Sequence, residues 1–140
     1  MGKEKYLQEL REDFSKVSFW NHIGCVIEDI GEGQALLSLK VEPYHLNGNQ
    51  TVHGGVLAAL LDNAMGLASR AVSGRFQATT NMNIHFLASA DEGTIYARGR
   101  VVHRTKRTVT TEACAEKEDG TLLAIATGTF RVFRENRVSP

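Results

Sequence analysis

Asn47, His53, Gly54 and Asp62 carry residue types and spacings that chemistry can use, and all four lie in NGNQTVHGGVLAALLDNAMGLA (47–68). The stretch reads as a polar loop, then His-Gly-Gly, then a very apolar helix with one carboxylate in its middle. Burying a lone charge costs several kcal/mol, roughly, unless something pairs with it or uses it. Asp62 nonetheless sits among Val56, Leu57, Leu60, Leu61, Ala64 and Met65. The first amides of a helix lack intrahelical partners and carry the positive end of its dipole. At Gly54 such an amide can donate to a developing oxyanion, and Gly55 lets a substrate approach the backbone closely. The plain alternative is that the two glycines only allow tight packing at the helix start. Asp62 lies two turns beyond Gly55, on about the same side. It is either a working carboxylate or one held by a helix contact, by Arg70 or by a partner subunit. Small neighbours, Ala58, Ala59, Gly66 and Ser69, leave room for another helix or a ligand beside it.

Other candidates surround this stretch. His53 and Asn47 can orient a water, hold a carbonyl or cap the backbone. Thr79 and Thr80 open the strand after the helix, where a hydroxyl can support the Asp62 carboxylate or simply belong to a β-branched strand. Arg104, Lys106 and Arg107 gather in HRTKRT (103–108), either as a solvated turn or as a clamp for phosphate groups. His45 and His53 lack the carboxylate and cysteine spacing of a zinc site, so no metal is expected.

The elements that position these residues follow from periodicity. Tyr6, Leu7, Leu10, Phe14 and Val17 recur at three- and four-residue spacings, which predicts an amphipathic helix over 3–16. Trp20 and Phe19 are expected to anchor its exit. Two β runs follow, about Cys25–Ile30 and Ala35–Val41, split by Gly31 and Gly33 into a hairpin. Pro43 ends the second run, and YHLNGNQT is a polar loop. The central helix spans about 54–73, apolar nearly all round, and Gly74 closes it. Afterwards the pattern turns to period two. Met82, Ile84 and Phe86 alternate with Asn81, Asn83 and His85. Thr94–Glu116 reads as two strands with a bend near Thr105–Arg107, Glu118-Asp119-Gly120 as a turn, and Leu122–Phe133 as a last strand. The tail RENRVSP is expected to fray. This order predicts one α+β domain over 1–140, a long central helix wrapped by a curved antiparallel sheet of five to six strands.

Composition excludes several classes. The 140 residues suffice for a single core. Lys+Arg and Asp+Glu are both 16, and that zero balance speaks against a nucleic-acid binder. Cys25 and Cys114 make no disulfide framework and are expected to be reduced thiols. The charged start MGKEKYLQELREDF has no apolar core of a signal peptide, and the apolar run before Asp62 is far short of the ~20 residues a bilayer needs. No membrane and a cytoplasmic location are expected.

The stretch also resembles the signature of hot-dog-fold acyl-CoA thioesterases of the phenylacetic-acid-degradation (PaaI) type. Asn47, the triplet His53-Gly54-Gly55, and Asp62 nine residues after His53 carry the likeness. Three flanking segments extend it: the glycine-to-proline strand before the loop, TTNMNIHFL (79–87), and DGTLLAIATGT (119–129). It covers roughly 20–133. The resemblance implies a helix wrapped in a sheet, a homodimer joined edge to edge and often paired again into a homotetramer. It also implies active sites shared between subunits. Gly54 would then supply the oxyanion amide, Asn47 would bind the thioester carbonyl or position water, and His53 would support that loop. Asp62 would act as general base or nucleophile, and Thr79 stands where some relatives have a serine that assists the carboxylate. Apolar residues of both subunits, Phe86, Leu87 and Met65 among them, would line the acyl pocket. The substrate would be an acyl-CoA, with coenzyme A part of the substrate and no separate cofactor. Two alternatives stand beside hydrolysis: a non-catalytic acyl-CoA-binding protein, and a hot-dog hydratase or dehydratase.

Overall fold

The structure, a computed structural model, describes residues 2–135. Helix α1 (Gly2–Ser15) and a short α2 (Ser18–Ile23) precede the hairpin β1 (Cys25–Gly31) and β2 (Gln34–Lys40). Its turn runs through Gly33 at φ +76, a left-handed conformation that glycine adopts without strain. A 3-10 turn at Pro43–His45 leads toward the central helix α3 (Gly54–Ser73). Then follow β3 (Gln77–Phe86), β4 (Thr94–Arg104), β5 (Thr108–Lys117) and β6 (Leu122–Val132). All six strands pair antiparallel in one sheet, in the order β1-β2-β4-β5-β6-β3. β1 and β3 are therefore its two edges.

The sheet wraps α3 because the helix buries a broad face. Leu57, Leu60, Leu61, Ala64, Leu67 and Ala68 recur at three- and four-residue intervals and are buried against the strands. Leu37 and Leu39 from β2, Ile95 from β4, Val109 from β5 and Leu123 from β6 meet them with no exposed surface. Each such leucine contributes about 1.5–3 kcal/mol by leaving water. α3 lies so close to β4 that a Cβ at Gly99 would collide with the Ala64 carbonyl. The helix is not buried all round, however. Ala58, Ala59, Asp62, Gly66 and Arg70 form a stripe that is only half-buried.

The N-terminal segment closes the far end of α3. Tyr6 donates its hydroxyl hydrogen to the Arg70 carbonyl at 2.7 Å, and the Phe14 and Trp20 rings stack at 5.0 Å. Trp20 is buried and does anchor the exit of α1, whereas Phe19 is 53% exposed and does not. For the tail expected to fray, residues 136–140 lie outside the described residues.

Candidate active site at the central helix

The loop that leads into α3 is a small closed hairpin. Leu46 bridges Val52, the Asn47 amide donates to the Thr51 carbonyl at 2.7 Å, and the His53 amide donates to the His45 carbonyl at 2.8 Å. The Asn47 side-chain oxygen accepts from the amides of Asn49 and Thr51 at 2.8 and 3.2 Å. It thereby staples a turn in which Gln50 takes a left-handed φ of 63. The carboxamide oxygen of Asn47 is thus committed to the loop. Only its NH2 group is left to donate to a bound carbonyl or water.

His53 is the N-cap of α3. Its Nδ1 accepts from the Gly55 amide at 2.8 Å, so the ring hydrogen sits on Nε2. A Cβ at Gly55 would lie 2.9 Å from that Nδ1, so Gly55 is small because the capping ring occupies its side-chain space. The next amides, Val56 and Leu57, both turn back to the His53 carbonyl, at 2.9 and 3.4 Å. Among the described residues, no acceptor takes the Gly54 amide. It is the helix-start donor left open, and the dipole makes it the place where an anion is best received. The Phe86 ring borders it, 3.5–3.6 Å from where a Gly54 Cβ would stand.

Asp62 is half-buried on the incompletely covered stripe. Its Oδ1 accepts a hydrogen bond from the Thr79 hydroxyl at 2.8 Å. Burial pushes its carboxyl up from the ordinary value, and the Thr79 hydrogen bond holds it down in part. The alternative in which Arg70 holds Asp62 does not occur within the chain. The Arg70 guanidinium lies over the rings of Phe14 and Phe76, at 5.3 and 5.1 Å. Thr79 reaches Asp62 because β3 is bulged at Thr80, where the register with β6 shifts between Thr79 and Asn81. Thr80 itself donates to the Thr129 carbonyl at 3.1 Å.

A model of the thioesterase superfamily matches residues 49–124, more than half of the chain. A Halobacterium salinarum protein that bears an esterase name is 30% identical, with 93% of this chain and 92% of that one covered. The chain belongs to the thioesterase superfamily. Its fold is the hot-dog fold of PaaI-type thioesterases. The E. coli PaaI protein from the phenylacetic acid degradation operon superposes with a TM-score of 0.89 at 24% identity, covering 96% of this chain and 97% of that chain. A Shewanella oneidensis protein related to the thioesterase superfamily gives 0.86 at 25% identity, with 94% and 97% covered. Family membership and the esterase relative support thioester hydrolysis in the broad sense.

Within this thioesterase-superfamily chain, four expected substrate contacts, Met65, Arg104, Lys106 and Arg107, do not border the open amide of the same chain. Met65 is fully buried, its thioether against Gly128 of β6, because a step of three residues from Asp62 turns it into the core. It lines no open surface of the chain. Arg104 donates to the Val72 carbonyl and so neutralises the C-terminal turn of α3, about 30 Å along the helix from Gly54. Lys106 and Arg107 are exposed in the β4–β5 turn beside it. These cations therefore gather at the opposite end of α3 from the open amide of the same chain. Phe86 and Leu87, by contrast, are more than half exposed beside the helix start.

Two further features complete the geometry. A hollow of about 720 Å³ is lined only by strand residues, including Asp29, Arg98, Arg100, Glu112 and His85, with none from α3. Neither Gly54 nor Asp62 lines it, and it lies apart from this chemistry. No group of three or more His, Cys, Asp or Glu side chains able to hold a metal occurs among the described residues. No helix among them is long and apolar enough to cross a membrane. Cys25 and Cys114 are free thiols, and burial pushes Cys25 up to about 11.

Sequence reasoning weighed His45 only as a metal ligand and passed over Gln77. His45 is buried, with Nε2 on the Ile23 carbonyl at 2.6 Å and Nδ1 accepting from the Glu42 amide at 2.8 Å. It fixes the base of the hairpin that presents Asn47 and His53. A histidine just after proline, ahead of an Asn-Gly turn, was the signal available. Gln77 stands two residues before Thr79, which puts both on one face of a strand.

Proposed function

We propose that the protein hydrolyses an acyl-CoA to the free acid and coenzyme A. The observation that carries this reading is the pairing on one helix of an open amide, Gly54, with a carboxylate raised by burial, Asp62. A thioester carbonyl is already activated, so its hydrolysis asks mainly for an oxyanion donor and a base for water. Asp62 takes a proton from water as the hydroxyl oxygen adds to the carbonyl carbon. The oxyanion forms against the Gly54 amide, and the Asn47 NH2 donates to the same oxygen or holds the water. The tetrahedral intermediate then collapses, the C–S bond breaks, and the proton on Asp62 goes to the departing thiolate. Nothing beyond the coenzyme A of the substrate is called for as cofactor.

The two groups stand eight residues apart, about 12 Å along the helix. The amide must lie within about 3 Å of the carbonyl oxygen and the carboxylate within hydrogen-bond reach of the attacking water, so the reading does not take both from one chain. The reading therefore takes Gly54 from one copy and Asp62 from another, in a homodimer. The half-buried stripe of Ala58, Ala59 and Gly66 leaves space for that approach. Phe86 and Leu87 border the open amide and are the apolar contacts for the acyl group.

The test is release of free thiol from aromatic, short, medium and long acyl-CoAs. At least one should be turned over by the wild-type protein, and Asp62→Asn should lose about 10³-fold of that turnover. Undiminished hydrolysis by Asp62→Asn would remove the proposed base. Tight binding of acyl-CoA without thiol release would replace the enzyme with a binding protein.

A further inference from the structure

Asp62 does not hold Thr79 in place by itself. Two residues upstream, Gln77 makes both of its side-chain hydrogen bonds to α3. Its Nε2 donates to the Gly66 carbonyl at 2.8 Å, and its Oε1 accepts from the Ser69 hydroxyl at 2.6 Å. Ser69 is fully buried, so its hydroxyl depends on this partner. Gly66 has no side chain to keep the strand away: a Cβ there would lie 3.6 Å from Gln77 Nε2 and 3.4 Å from the Phe130 ring. Gln77 and Thr79 thus share one face of β3, and both reach the same helix, one turn apart. Just beyond them the bulge at Thr80 breaks the ladder with β6. β3 is also an edge strand, paired on one side only within the chain. Without Gln77, the Thr79 hydroxyl would be the one side-chain hydrogen bond left from this segment to α3 among the described residues.

We propose that Gln77, anchored on Gly66 and Ser69, is the positioning residue that keeps the Thr79 hydroxyl on Asp62 and so sets the basicity of that carboxylate. This rests on the reading of Asp62 as the base. The electrostatic setting is simple. On its own helix Asp62 adjoins Ala58, Ala59 and Gly66. β3 presents Thr79 and Gln77, and β6 presents Phe130 to the neighbouring Gly66. Arg70 is held between two rings. Burial and the Thr79 hydroxyl are what act on the carboxyl, and no charged group among the described residues shifts it. Loss of the hydroxyl from its place therefore moves the carboxyl further up, with no competing charge from the described residues of its own chain.

The experiment is a carbon-13 NMR titration of the Asp62 carboxyl in the free protein, for wild type, Thr79→Val, Gln77→Met, Ser69→Ala and the Gln77/Thr79 double variant. Thr79→Val should titrate at higher pH than wild type. Gln77→Met should shift in the same direction, and Ser69→Ala, which removes one of the two anchoring bonds, should shift less. The double variant should titrate no higher than Thr79→Val alone, since both act through one hydroxyl. Should Gln77→Met fail to fold, Ser69→Ala decides by the same criterion. A folded Gln77→Met or Ser69→Ala that titrates with wild type would overturn the inference, and so would additive shifts in the double variant. The titration does not depend on turnover. A wild-type protein that hydrolyses no thioester would sink the proposed function and leave the Gln77 result to stand or fall by itself.

Discussion

The start of α3 and its middle prepare opposite charges by opposite means. At the start, the backbone supplies the chemistry: a capped helix end leaves the Gly54 amide open in a half-exposed, polar loop. In the middle, a side chain supplies it: Asp62 is raised by burial and restrained by one hydroxyl. The first region depends on a local hairpin of adjacent residues, 45–55. The second depends on contacts between α3 and a strand seventeen residues further along. Local geometry makes the donor robust to distant changes. The acceptor depends on tertiary packing and is the more tunable of the two.

Four substitutions act on the two regions separately. Asp62→Asn keeps the size and the hydrogen bond to Thr79 but cannot accept a proton from water. Turnover should fall by about 10³-fold, with KM little changed. A steady-state assay over a range of substrate concentrations reads both.

Gly54→Pro removes the amide hydrogen and little else. Proline is accepted at the first position of a helix. The preceding His53, at φ −60 and ψ 135, already has the extended backbone that a following proline requires. The variant should fold as wild type by circular dichroism and lose about 10²-fold in kcat. Retention of wild-type kcat would assign the oxyanion elsewhere.

His53→Ala removes the cap, which should cost about 1 kcal/mol of stability in urea unfolding. Activity should fall less than in Gly54→Pro, because the amide remains while its orientation loosens.

Thr79→Val acts on pH dependence. Its hydroxyl favours the charged carboxylate, so its loss raises the Asp62 carboxyl further. Hydrolysis needs the unprotonated form, so activity is kept at high pH and lost toward acid. The acid limb of the kcat/KM profile should therefore move to higher pH, with the alkaline plateau least affected. An acid limb that stays in place would mean that Thr79 does not govern the base.

Much of this architecture was legible in the sequence, and the failures have physical causes. The hairpin around Gly33, the helix bounds at Gly54 and Gly74, and the bend at Thr105–Arg107 all rest on local signals. Glycine conformation and period-two alternation act within a few residues. The short α2, SFWNHI, has no side-chain cap at Val17 and too few residues for a period, so only burial of Trp20 and Ile23 defines it. The apolar helix composition predicted burial on all sides. It is instead covered on one broad face and half-open on the Asp62 stripe, and composition alone does not distinguish the two. Met65 was expected to line the acyl pocket as an apolar residue, whereas helix rotation sends it into the core against Gly128. The Arg104 cluster had the right charges for a phosphate clamp. Where it lies along α3, and that Arg104 serves a helix carbonyl, is decided by how the β4–β5 turn folds back, a non-local contact. In the site itself, the open amide was readable from His53-Gly54-Gly55. The hydroxyl of Thr79 was readable only as one of two outcomes, because the Thr80 bulge that aims it has no sequence signal.

The most direct measurement mixes two impaired proteins. Asp62→Asn and Gly54→Pro chains are unfolded together, refolded, and assayed for thiol release from the best acyl-CoA. A site that takes its amide from one copy and its carboxylate from another is rebuilt once in every mixed dimer. Random pairing then restores about a quarter of wild-type activity. Activity no higher than that of either variant alone, with mixed dimers demonstrated by mass spectrometry, would contradict a site shared between two copies of the chain.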